Sequence, residues 1–356
     1  MNIDELYIEN LRNISKGTWK FHNEGLISII GKNGTGKTTL LEAIYLVINQ
    51  SSFRPGNNST LIKKGEEKAL IQSVTNYQNR DLAINIDVGQ KLLTTFNGNL
   101  VQPKTISKKY DINLKATLFT PDDVNLIPGP PEKRRSYLDR LASEMSLKYK
   151  DELERYEKAV IQRNRLLKQN QIRQDKDFER SLRVWDERVA LSGEQIVFER
   201  VNLLEKLSPQ ITLAYKELTK KEDSVKIKYQ KTWHGSLISC LEKAREEDIK
   251  KATTSVGPHR DDIEIFLNNR DSRTQASRGE QRSLALTFIL SGHLLLTDEF
   301  GEAPVMLLDD ITSELDISRI FGLLENLPKD QVFITSALKL PGLEVSQEVI
   351  METPFT

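Results

Sequence analysis

The chain has 356 residues, of which 38% are hydrophobic and 29% charged, and this length favours two domains with separate cores over one compact domain. No apolar run approaches the roughly 20 residues of a membrane-spanning helix, and the single cysteine, Cys240, excludes an intramolecular disulfide and favours a cytoplasmic protein. Basic and acidic residues are equal at 51 each, so any contact with nucleic acid must come from a local basic surface.

The first clear pattern along the chain is a strand, a glycine-rich loop and a helix. Short apolar strands are predicted over 6–8 and 25–30, and the apolar spacing of 39–48 predicts a helix. The loop between them matches the phosphate-binding pattern G-x-x-x-x-G-K-[ST] at every fixed position. Its residues are Gly31, Lys32, Asn33, Gly34, Thr35, Gly36, Lys37 and Thr38, and Thr39 follows in the helix.

This loop predicts a binding site for a nucleoside triphosphate. The backbone N–H groups of such a loop point inward to phosphate oxygens, and the helix N-terminus faces the anion. Lys37 reaches the β- and γ-phosphates, and the Thr38 hydroxyl can bind Mg²⁺. The alternative is a chance match, which the strand–loop–helix context disfavours.

Antiparallel strands and then helices are predicted next. Residues 82–88 alternate with period two, and Asn97-Gly98 predicts a type I′ hairpin between strands 91–96 and 100–101. Such strands beside a phosphate-binding loop predict a mixed sheet. After a breaker cluster at 128–131, two amphipathic segments extend to about 221, joined by a polar connection at 170–175. We interpret them as a helical hairpin packed in a bundle, with a coiled-coil seam as the alternative.

Alternating strands and helices return after Lys251. We predict strands over 262–267, 305–308 and 332–334, and helices over 283–296 and 317–327. The core that contains the phosphate-binding loop is therefore split around an inserted helical domain. The predicted domains are 1–120 for the N-terminal half of the core, 121–250 for the insertion and 251–356 for the C-terminal half.

Two carboxylates follow the apolar strand over 305–308. Ligands bind at the carboxyl ends of strands in open α/β sheets. Asp309 is therefore a candidate Mg²⁺ ligand of the Walker B type, and Asp310 is a candidate catalytic residue that orients the attacking water or accepts its proton. The alternative is that both residues only cap the following turn, but the upstream phosphate-binding loop favours the functional interpretation.

The segment 277–282 precedes a long apolar helix. Ser277 and Glu280 fit the S-x-x-E pattern of a capping box, which is a structural interpretation. Ser277 and Gly279 at a helix N-terminus are also suited to contact a γ-phosphate. The segment lies about thirty residues before Asp309, which is the layout of ATP-binding-cassette (ABC) ATPases. In that class, the serine motif of one subunit completes the nucleotide site of its partner.

Segments that match the motifs of one protein family are distributed along the chain, at 8–14, 31–39, 52–54, 119–123, 129–131, 134–135, 162–164, 185–186, 257–262, 277–282 and 307–316. With these segments, the chain resembles the RecF family of ABC-type, SMC-like ATPases along nearly its whole length. The resemblance implies an ABC-type α/β ATPase head with a mixed sheet and an inserted α-helical domain. Two departures are Arg278, where the family more often has glutamine, and the lack of a recognisable Q-loop glutamine.

The resemblance also implies a function. It implies a DNA-binding ATPase of recombinational repair and replication restart, linked to DNA damage and the SOS response, with slow, DNA-stimulated hydrolysis. Such a protein forms a homodimer around ATP, clamps DNA at single-strand gaps or junctions, and assists RecA loading with RecO and RecR. On this mapping Lys37, Thr38 and Asp309 bind ATP and Mg²⁺. Lys37 and Asp310 support hydrolysis, Ser277 contacts the γ-phosphate held by the opposite subunit, and Thr335 occupies the switch position.

Several assignments stay open from the sequence alone. Arg12 and Arg54 lie in segments expected near the nucleotide, and Arg260 is a candidate phosphate contact, whereas His259 is expected to be structural. A possible DNA-facing stripe, or equally a solvated helix surface, comprises Arg155, Lys158, Arg163, Arg165, Lys168 and Arg173. Alternative functions are a nucleotide-gated scaffold with negligible turnover, a transporter ATPase subunit, or the head of a long-armed chromosome-organising ATPase.

Overall fold

The structure, a computed structural model, describes residues 1–101, 110, 112–172, 177–314, 317–325, 330–340 and 342–352. The chain divides into two compact units, Met1–Asp123 with Gly292–Thr356, and Val124–Ser291. The first division lies close to the predicted boundary at 120/121. The second differs from the predicted boundary at 250/251, because residues 251–291 belong to the second unit.

The first unit contains an antiparallel sheet. Its strands are β1 (Asn2–Leu11), β2 (Ile14–Lys20), β4 (Ala69–Tyr77), β5 (Arg80–Val88), β6 (Leu92–Phe96) and β7 (Asn99–Val101), in the order β2-β1-β4-β5-β6-β7. Residues of β5 alternate between buried and exposed, as the period-two pattern predicts. Asn97 and Gly98 have φ of 47° and 80°, which is the backbone that a type I′ turn requires. The predicted hairpin is confirmed.

A parallel sheet forms the other half of the first unit. It contains β3 (Gly25–Ile30), β8 (Ala116–Phe119), β12 (Val305–Leu308), β13 (Gln331–Ser336) and β14 (Gln347–Ile350), in the order β14-β3-β13-β12-β8. Every residue of β12 and β13 is buried, which explains the continuous apolar run before Asp309. The predicted α/β class is confirmed, but the predicted mixed sheet is corrected: among the described strands of the first unit, the parallel and the antiparallel strands form two separate sheets.

Helix α1 (Lys37–Asn49) joins both sheets into one core. Residues on all sides of the helix are buried, and Leu40 and Ile44 belong to the same hydrophobic cluster as Ile8 and Ile84 of the antiparallel sheet and Ile27 of the parallel sheet. Two helices follow β12, α8 (Ile311–Glu314) and α9 (Ile317–Glu325). The predicted helix over 317–327 agrees with α9 up to residue 325, and its last two positions lie outside the described residues.

The second unit combines helices with a small sheet. Its helices are α2 (Pro131–Met145), α3 (Leu147–Ile172), α4 (Phe178–Thr219), α5 (Leu237–Lys251) and α6 (Ser272–Gln275), and α7 (Arg278–Phe300) begins there. Leu167 of α3 packs with Leu182 of α4, as expected for a helical hairpin. The predicted connection at 170–175 is partly helical, and residues 173–175 lie outside the described residues. Within the described ranges, no helix has the length and apolarity needed to cross a bilayer.

The small sheet explains the changed boundary. Strand β9 (Val225–Gln230) pairs in antiparallel fashion with β10 (Asp262–Leu267), which pairs in turn with β11 (Arg270–Asp271). Residues 262–267 were predicted as a strand of the ATPase core, but their partner lies inside the insertion. Strand β9 was not predicted, because its exposed positions are lysines and glutamine. With this sheet, the second unit is α+β and not purely helical.

Candidate nucleotide-binding site

The predicted phosphate-binding loop connects β3 to α1. Gly34 and Gly36 have φ of 86° and 104°, values that glycine adopts without strain. A Cβ on Gly36 would also lie 3.0 Å from Ile14 Cγ1, so the close approach of the backbone there favours glycine. The loop leads directly into the N-terminus of a buried helix, where amide groups and the helix dipole favour an anion.

Lys37, the first residue of α1, is held against this loop. Its Nζ donates to the carbonyl oxygens of Gly31, at 2.6 Å, and Lys32, at 3.0 Å. Thr35 closes the same loop by donating from Oγ1 to Lys32 O at 2.9 Å. An ammonium group has three N–H donors, so after these two bonds a third donor can reach a phosphate oxygen.

Thr38, Asp309 and Thr335 form a hydrogen-bonded cluster at the carboxyl ends of β12 and β13. Asp309 Oδ1 accepts from Thr38 Oγ1 and from Thr335 Oγ1, both at 2.9 Å. The Asp310 N–H donates to Thr335 Oγ1 at 2.7 Å, so Thr335 connects the two aspartates. Burial raises the pKa of the Asp309 carboxyl above its usual value, and its hydrogen bonds to Thr335 and Thr38 partly oppose this shift.

The cluster fits a divalent cation of the Mg²⁺ type. Mg²⁺ prefers oxygen ligands and is usually held by one or two protein groups together with phosphates and water. The Thr38 hydroxyl and the Asp309 carboxylate supply adjacent oxygens, and a desolvated carboxylate is stabilised by a nearby positive charge. In the described part of the chain, no three His, Cys, Asp or Glu side chains converge on a metal position. A cation at this cluster therefore needs phosphate oxygens to complete its ligand set.

A cavity of about 450 Å³ lies over the loop. Its lining consists of Arg12, Asn13, Asn33, Gly34, Gly36, Lys37, Thr38, Thr39, Arg54 and Asp310. The other predicted residues of the first unit do not line it: Gly31, Lys32 and Thr35 lie within the loop, and Asp309 lies behind Thr38. All lining residues belong to the first unit. Among the predicted residues, the cavity brings together Arg12, Asn33, Gly34, Gly36, Lys37, Thr38, Thr39 and Asp310.

Glu42 is a functional candidate that the sequence analysis missed. It lies on α1, is fully buried, and accepts two hydrogen bonds from the Arg12 guanidinium at 2.6 and 2.7 Å. Ser52 Oγ donates to the same carboxylate at 2.5 Å, and an Arg54 nitrogen lies 3.6 Å from it. One buried carboxylate therefore positions both arginines that line the cavity. A charged residue inside an otherwise apolar helix was the signal in the sequence.

Asn13 was also missed as a site residue. Its Nδ2 donates to Gly34 O at 2.7 Å, and its Oδ1 accepts from Thr39 Oγ1 at 2.8 Å. The amide thus joins the turn between β1 and β2 to both the phosphate-binding loop and the first turn of α1. Thr39, predicted to bind the cofactor, lines the cavity and donates its hydroxyl to Asn13. The position of Asn13 next to Arg12 gave a weak sequence signal, because only the fold brings the two segments together.

The serine motif of the second unit forms the predicted capping box at the start of α7. The Ser277 N–H donates to Glu280 Oε2 at 2.7 Å, and the Glu280 N–H donates to Ser277 Oγ at 3.3 Å. These hydrogen bonds lower the pKa of the Glu280 carboxyl. Ser277 is exposed, and Gly279 O accepts from Ser283 Oγ at 3.0 Å within the helix. The capping interaction therefore coexists with a surface position for the Ser277 hydroxyl.

The predicted basic stripe requires one correction. Arg163 is fully buried, and it donates to Asp186 at 2.7 Å and to Asp248 at 2.6 Å. It cannot contact DNA, because its charge is neutralised inside the helical core. Arg165 and Lys168 are exposed, whereas Arg173 lies outside the described residues.

His259 and Arg260 have different environments. His259 Nδ1 lies 2.5 Å from Tyr156 Oη, and Nε2 lies 3.1 Å from Thr254 O, so both ring nitrogens have partners. Burial lowers the pKa of His259 to about 4. Arg260 is exposed while donating to Thr254 O, so it remains a candidate for phosphate contact.

The fold and the loop–aspartate cluster define the head of an ABC-type, SMC-like P-loop ATPase. The family model described as "RecF/RecN/SMC N terminal domain" matches residues 2–353. The chain belongs to the RecF family of DNA replication and repair proteins. Among the solved structures it matches an Smc head bound to the C-winged helix domain of ScpA, at a TM-score of 0.56 and 17% identity over 96% of this chain and 90% of that one, which shows the fold alone.

Relatives within the family match the chain over nearly its whole length. The DNA replication and repair protein RecF of Alkaliphilus oremlandii is 31% identical over 349 residues, covering 95% of this chain and 94% of the relative. RecF of Caldanaerobacter subterraneus subsp. tengcongensis is 34% identical over 362 residues, covering 95% of each. The solved structure of the recombination mediator protein RecF-ATPrS in the RecFOR pathway has a TM-score of 0.88 and 31% identity, covering 99% of this chain and 96% of that one.

Proposed function

We propose that the chain is a DNA-binding ATPase of recombinational repair and replication restart. Two copies dimerise around ATP and Mg²⁺, clamp DNA at single-strand gaps or junctions, and release it on hydrolysis. RecO and RecR are its partners in assisting RecA loading. The hydrogen bonds from Thr38 and Thr335 to Asp309 carry this proposal, because they join the phosphate-binding loop to the Walker B strand in one site. Family membership supports the biological context.

Three cationic side chains bind and orient the triphosphate. Lys37 Nζ lies against the loop and donates to its carbonyl oxygens. Arg12 and Arg54 line the cavity, and the Glu42 carboxylate holds both of them. When bound, ATP supplies the phosphoanhydride bond and Mg²⁺ neutralises its oxygens. Asp310 lines the same cavity, and its N–H donates to Thr335. Both observations support a role for its carboxylate in orienting a water or holding its proton.

Ser277 completes the site of the other copy. The cavity lining contains no residue of the second unit among those that the structure describes, and the exposed Ser277 hydroxyl sits at the N-terminus of a long helix. A hydroxyl at a helix N-terminus suits the γ-phosphate of a facing subunit. Each ATP is then held between the loop of one copy and the serine motif of the other, and the two-fold symmetry of a homodimer makes two such sites.

Sedimentation velocity tests this function. We expect the wild-type chain to be monomeric alone, dimeric with ATP, and bound to a gapped duplex with ATP. Lys37→Met should abolish both changes, whereas Lys64→Met, which replaces an exposed lysine outside the cavity, should preserve them. ATP-independent DNA binding by wild type and Lys37→Met alike would contradict the proposal.

One observation favours a second candidate, a nucleotide-gated scaffold with negligible turnover. The described lining of the cavity contains no glutamine, although a Q-loop glutamine is expected in an ABC-type ATPase. In this alternative, ATP shifts the monomer–dimer equilibrium without being consumed. Phosphate release measured with gapped DNA distinguishes the ATPase from the scaffold. If the wild-type chain is a scaffold, it dimerises with ATP but releases phosphate no faster than the Asp310→Asn variant.

A further inference from the structure

The sheet of the second unit has an open edge at β9. The strand order is β11-β10-β9, and the Asn268 N–H donates to Ser224 O at 2.9 Å next to the strand ends. Because directly bonded pairs alternate along an antiparallel ladder, the even-numbered residues of β9 bond to β10. The N–H and C=O groups of Ile227 and Tyr229 therefore point away from the sheet, and they have no strand partner among the residues that the structure describes.

Helix α4 covers only the beginning of this edge. Thr212 Oγ1 donates to Val225 O at 3.0 Å, which satisfies the first outward carbonyl of β9. Beyond that contact, a groove of about 580 Å³ lies between α4 and the edge. It is lined by Val201, Leu204, Glu205, Ser208, Ile227, Lys228, Tyr229, Gln230, Lys231 and His234. The outward backbone groups of β9 thus face a space that can hold another chain segment.

The open edge is held in a fixed position. Tyr229 Oη donates to Asp261 Oδ2 at 3.0 Å and accepts from an Arg200 nitrogen at 3.0 Å. Arg200 also donates twice to Asp139, at 2.8 Å in each case. These part-buried hydrogen bonds fix β9 before any partner binds, so a docking segment loses entropy mainly on its own side.

The groove combines apolar walls with a basic rim. Lys228, Lys231 and His234 are exposed in the lining, and Glu205 is its one carboxylate among the described residues. On an edge strand such lysines discourage pairing with other strands, unless the incoming strand carries the opposite charge. The rim therefore selects for acidic residues.

The apolar wall continues along α4 outside the groove. Leu191 and Phe198 are 77% and 60% exposed. Leu191 lies seven residues before Phe198, and Phe198 lies three residues before Val201, so the three share one side of the helix. Exposed apolar surface of this kind, next to a polar rim, is typical of a protein-binding site. A docked segment can therefore bury apolar side chains against α4 while its backbone pairs with β9.

We infer that this groove binds an acidic, extended peptide segment of a partner protein, which adds a strand to β9. Backbone bonds to Ile227 and Tyr229 hold the segment, as in other cases of strand addition. Its apolar side chains contact Val201 and Leu204, and its carboxylates face Lys228 and Lys231. This inference concerns a surface of the second unit and does not depend on the proposed ATPase cycle.

Fluorescence anisotropy with a capped decapeptide of alternating aspartate and valine tests the inference. We expect saturable binding to the full chain, and slower hydrogen exchange at the Ile227 and Tyr229 amides. The matched peptide of alternating lysine and valine should not bind. Ile227→Pro removes an outward donor and leaves the ladder to β10 intact, so it should weaken binding roughly tenfold or more.

Charge variants keep the test decisive if Ile227→Pro fails to fold. Lys228→Glu combined with Lys231→Glu should abolish binding of the acidic peptide, whereas Lys243→Glu, an exposed position on α5, should leave it unchanged. Absence of binding, equal binding of the lysine peptide, or full affinity in the charge-reversed variant would overturn the inference. Displacement of the peptide by oligothymidylate at equal concentration would also overturn it and assign the groove to nucleic acid.

Discussion

Thr38 donates a 2.9 Å hydrogen bond to Asp309, a residue 271 positions further along the chain. The contact forms because β3 and β12 are parallel strands of one sheet, with β13 between them, so their carboxyl ends lie at the same edge. It brings together a hydroxyl and a carboxylate, the two groups for which we propose a shared cation.

Asp309→Asn should abolish hydrolysis while the fold is preserved. The asparagine oxygen still accepts from Thr38 and Thr335, but the negative charge that favours a divalent cation is lost. We expect turnover to fall by about 100-fold or more, the usual effect of removing one charge-stabilising group. Phosphate release at saturating ATP measures this. Unchanged thermal unfolding shows that the loss is chemical, and near-wild-type turnover would contradict the assignment.

Glu42→Gln should weaken both the fold and nucleotide binding. The buried carboxylate holds Arg12 by two hydrogen bonds and lies near Arg54. We expect a loss of about 1–3 kcal/mol in the free energy of unfolding, measured in urea, and weaker ATP affinity, measured by titration calorimetry. Glu67→Gln, an exposed control in the same unit, should change neither. Unaltered ATP affinity in Glu42→Gln would show that the arginines do not contact the nucleotide.

Asn13→Ala should loosen the phosphate-binding loop. It removes the bonds to Gly34 and Thr39, and we expect roughly tenfold weaker ATP binding, equivalent to about 1.4 kcal/mol. Asn99→Ala in the exposed hairpin is the matched control, because Asn99 does not line the cavity. Equal ATP affinity of the two variants would mean that the loop keeps its conformation without the Asn13 amide.

Arg163→Ala should destabilise the second unit without a direct effect on DNA binding. The substitution leaves Asp186 and Asp248 buried with less compensating positive charge. We therefore expect the free energy of unfolding to fall by about 3–5 kcal/mol. Chemical denaturation gives this value. Arg165→Ala, at an exposed neighbouring position, should leave the stability unchanged. Stability equal to wild type in Arg163→Ala would contradict the buried network.

Two buried histidines make stability depend on pH. The pKa values of His259 and His293 are lowered to about 4 by burial. In the unfolded chain, the histidine pKa is about 6.5. The neutral histidines therefore contribute their full stabilisation above about pH 6.5, and this contribution is lost as the pH falls towards about 4. For each histidine, the free energy of unfolding falls by up to about 1.4 kcal/mol per pH unit. His259→Gln should flatten the dependence in urea denaturation between pH 6.5 and 4. The exposed control His22→Gln should not, and equal slopes for the two variants would refute the assignment.

Local patterns predicted the parts of the fold that a few neighbouring residues determine. The loop 31–38, the hairpin at Asn97-Gly98 and the buried strand before Asp309 follow from glycine backbone freedom, turn chemistry and apolar runs. Long-range pairing was not predictable in the same way. Glu42 and Asn13 are identified only when β1, the loop and α1 are in contact, and neither has a motif of its own.

The errors have similar causes. Arg163 fits a basic stripe by helical spacing, but spacing does not show that Asp186 and Asp248 face it from two other helices. The boundary at 250/251 was wrong as a structural division, because β10 pairs with β9 and the lysine-rich β9 was not recognised as a strand. The functional roles assigned to the three predicted domains stay predictions.

Mixing two inactive variants tests directly whether Ser277 acts across the dimer. Asp310→Asn keeps its serine motif and loses hydrolysis, whereas Ser277→Arg keeps its loop and aspartates and blocks the facing site. An equal mixture should regain about a quarter of wild-type turnover, because half of the dimers are mixed and each mixed dimer has one intact site of two. If each variant is inactive alone and the mixture is also inactive, Ser277 does not complete the site of a partner, and the proposed dimer is contradicted.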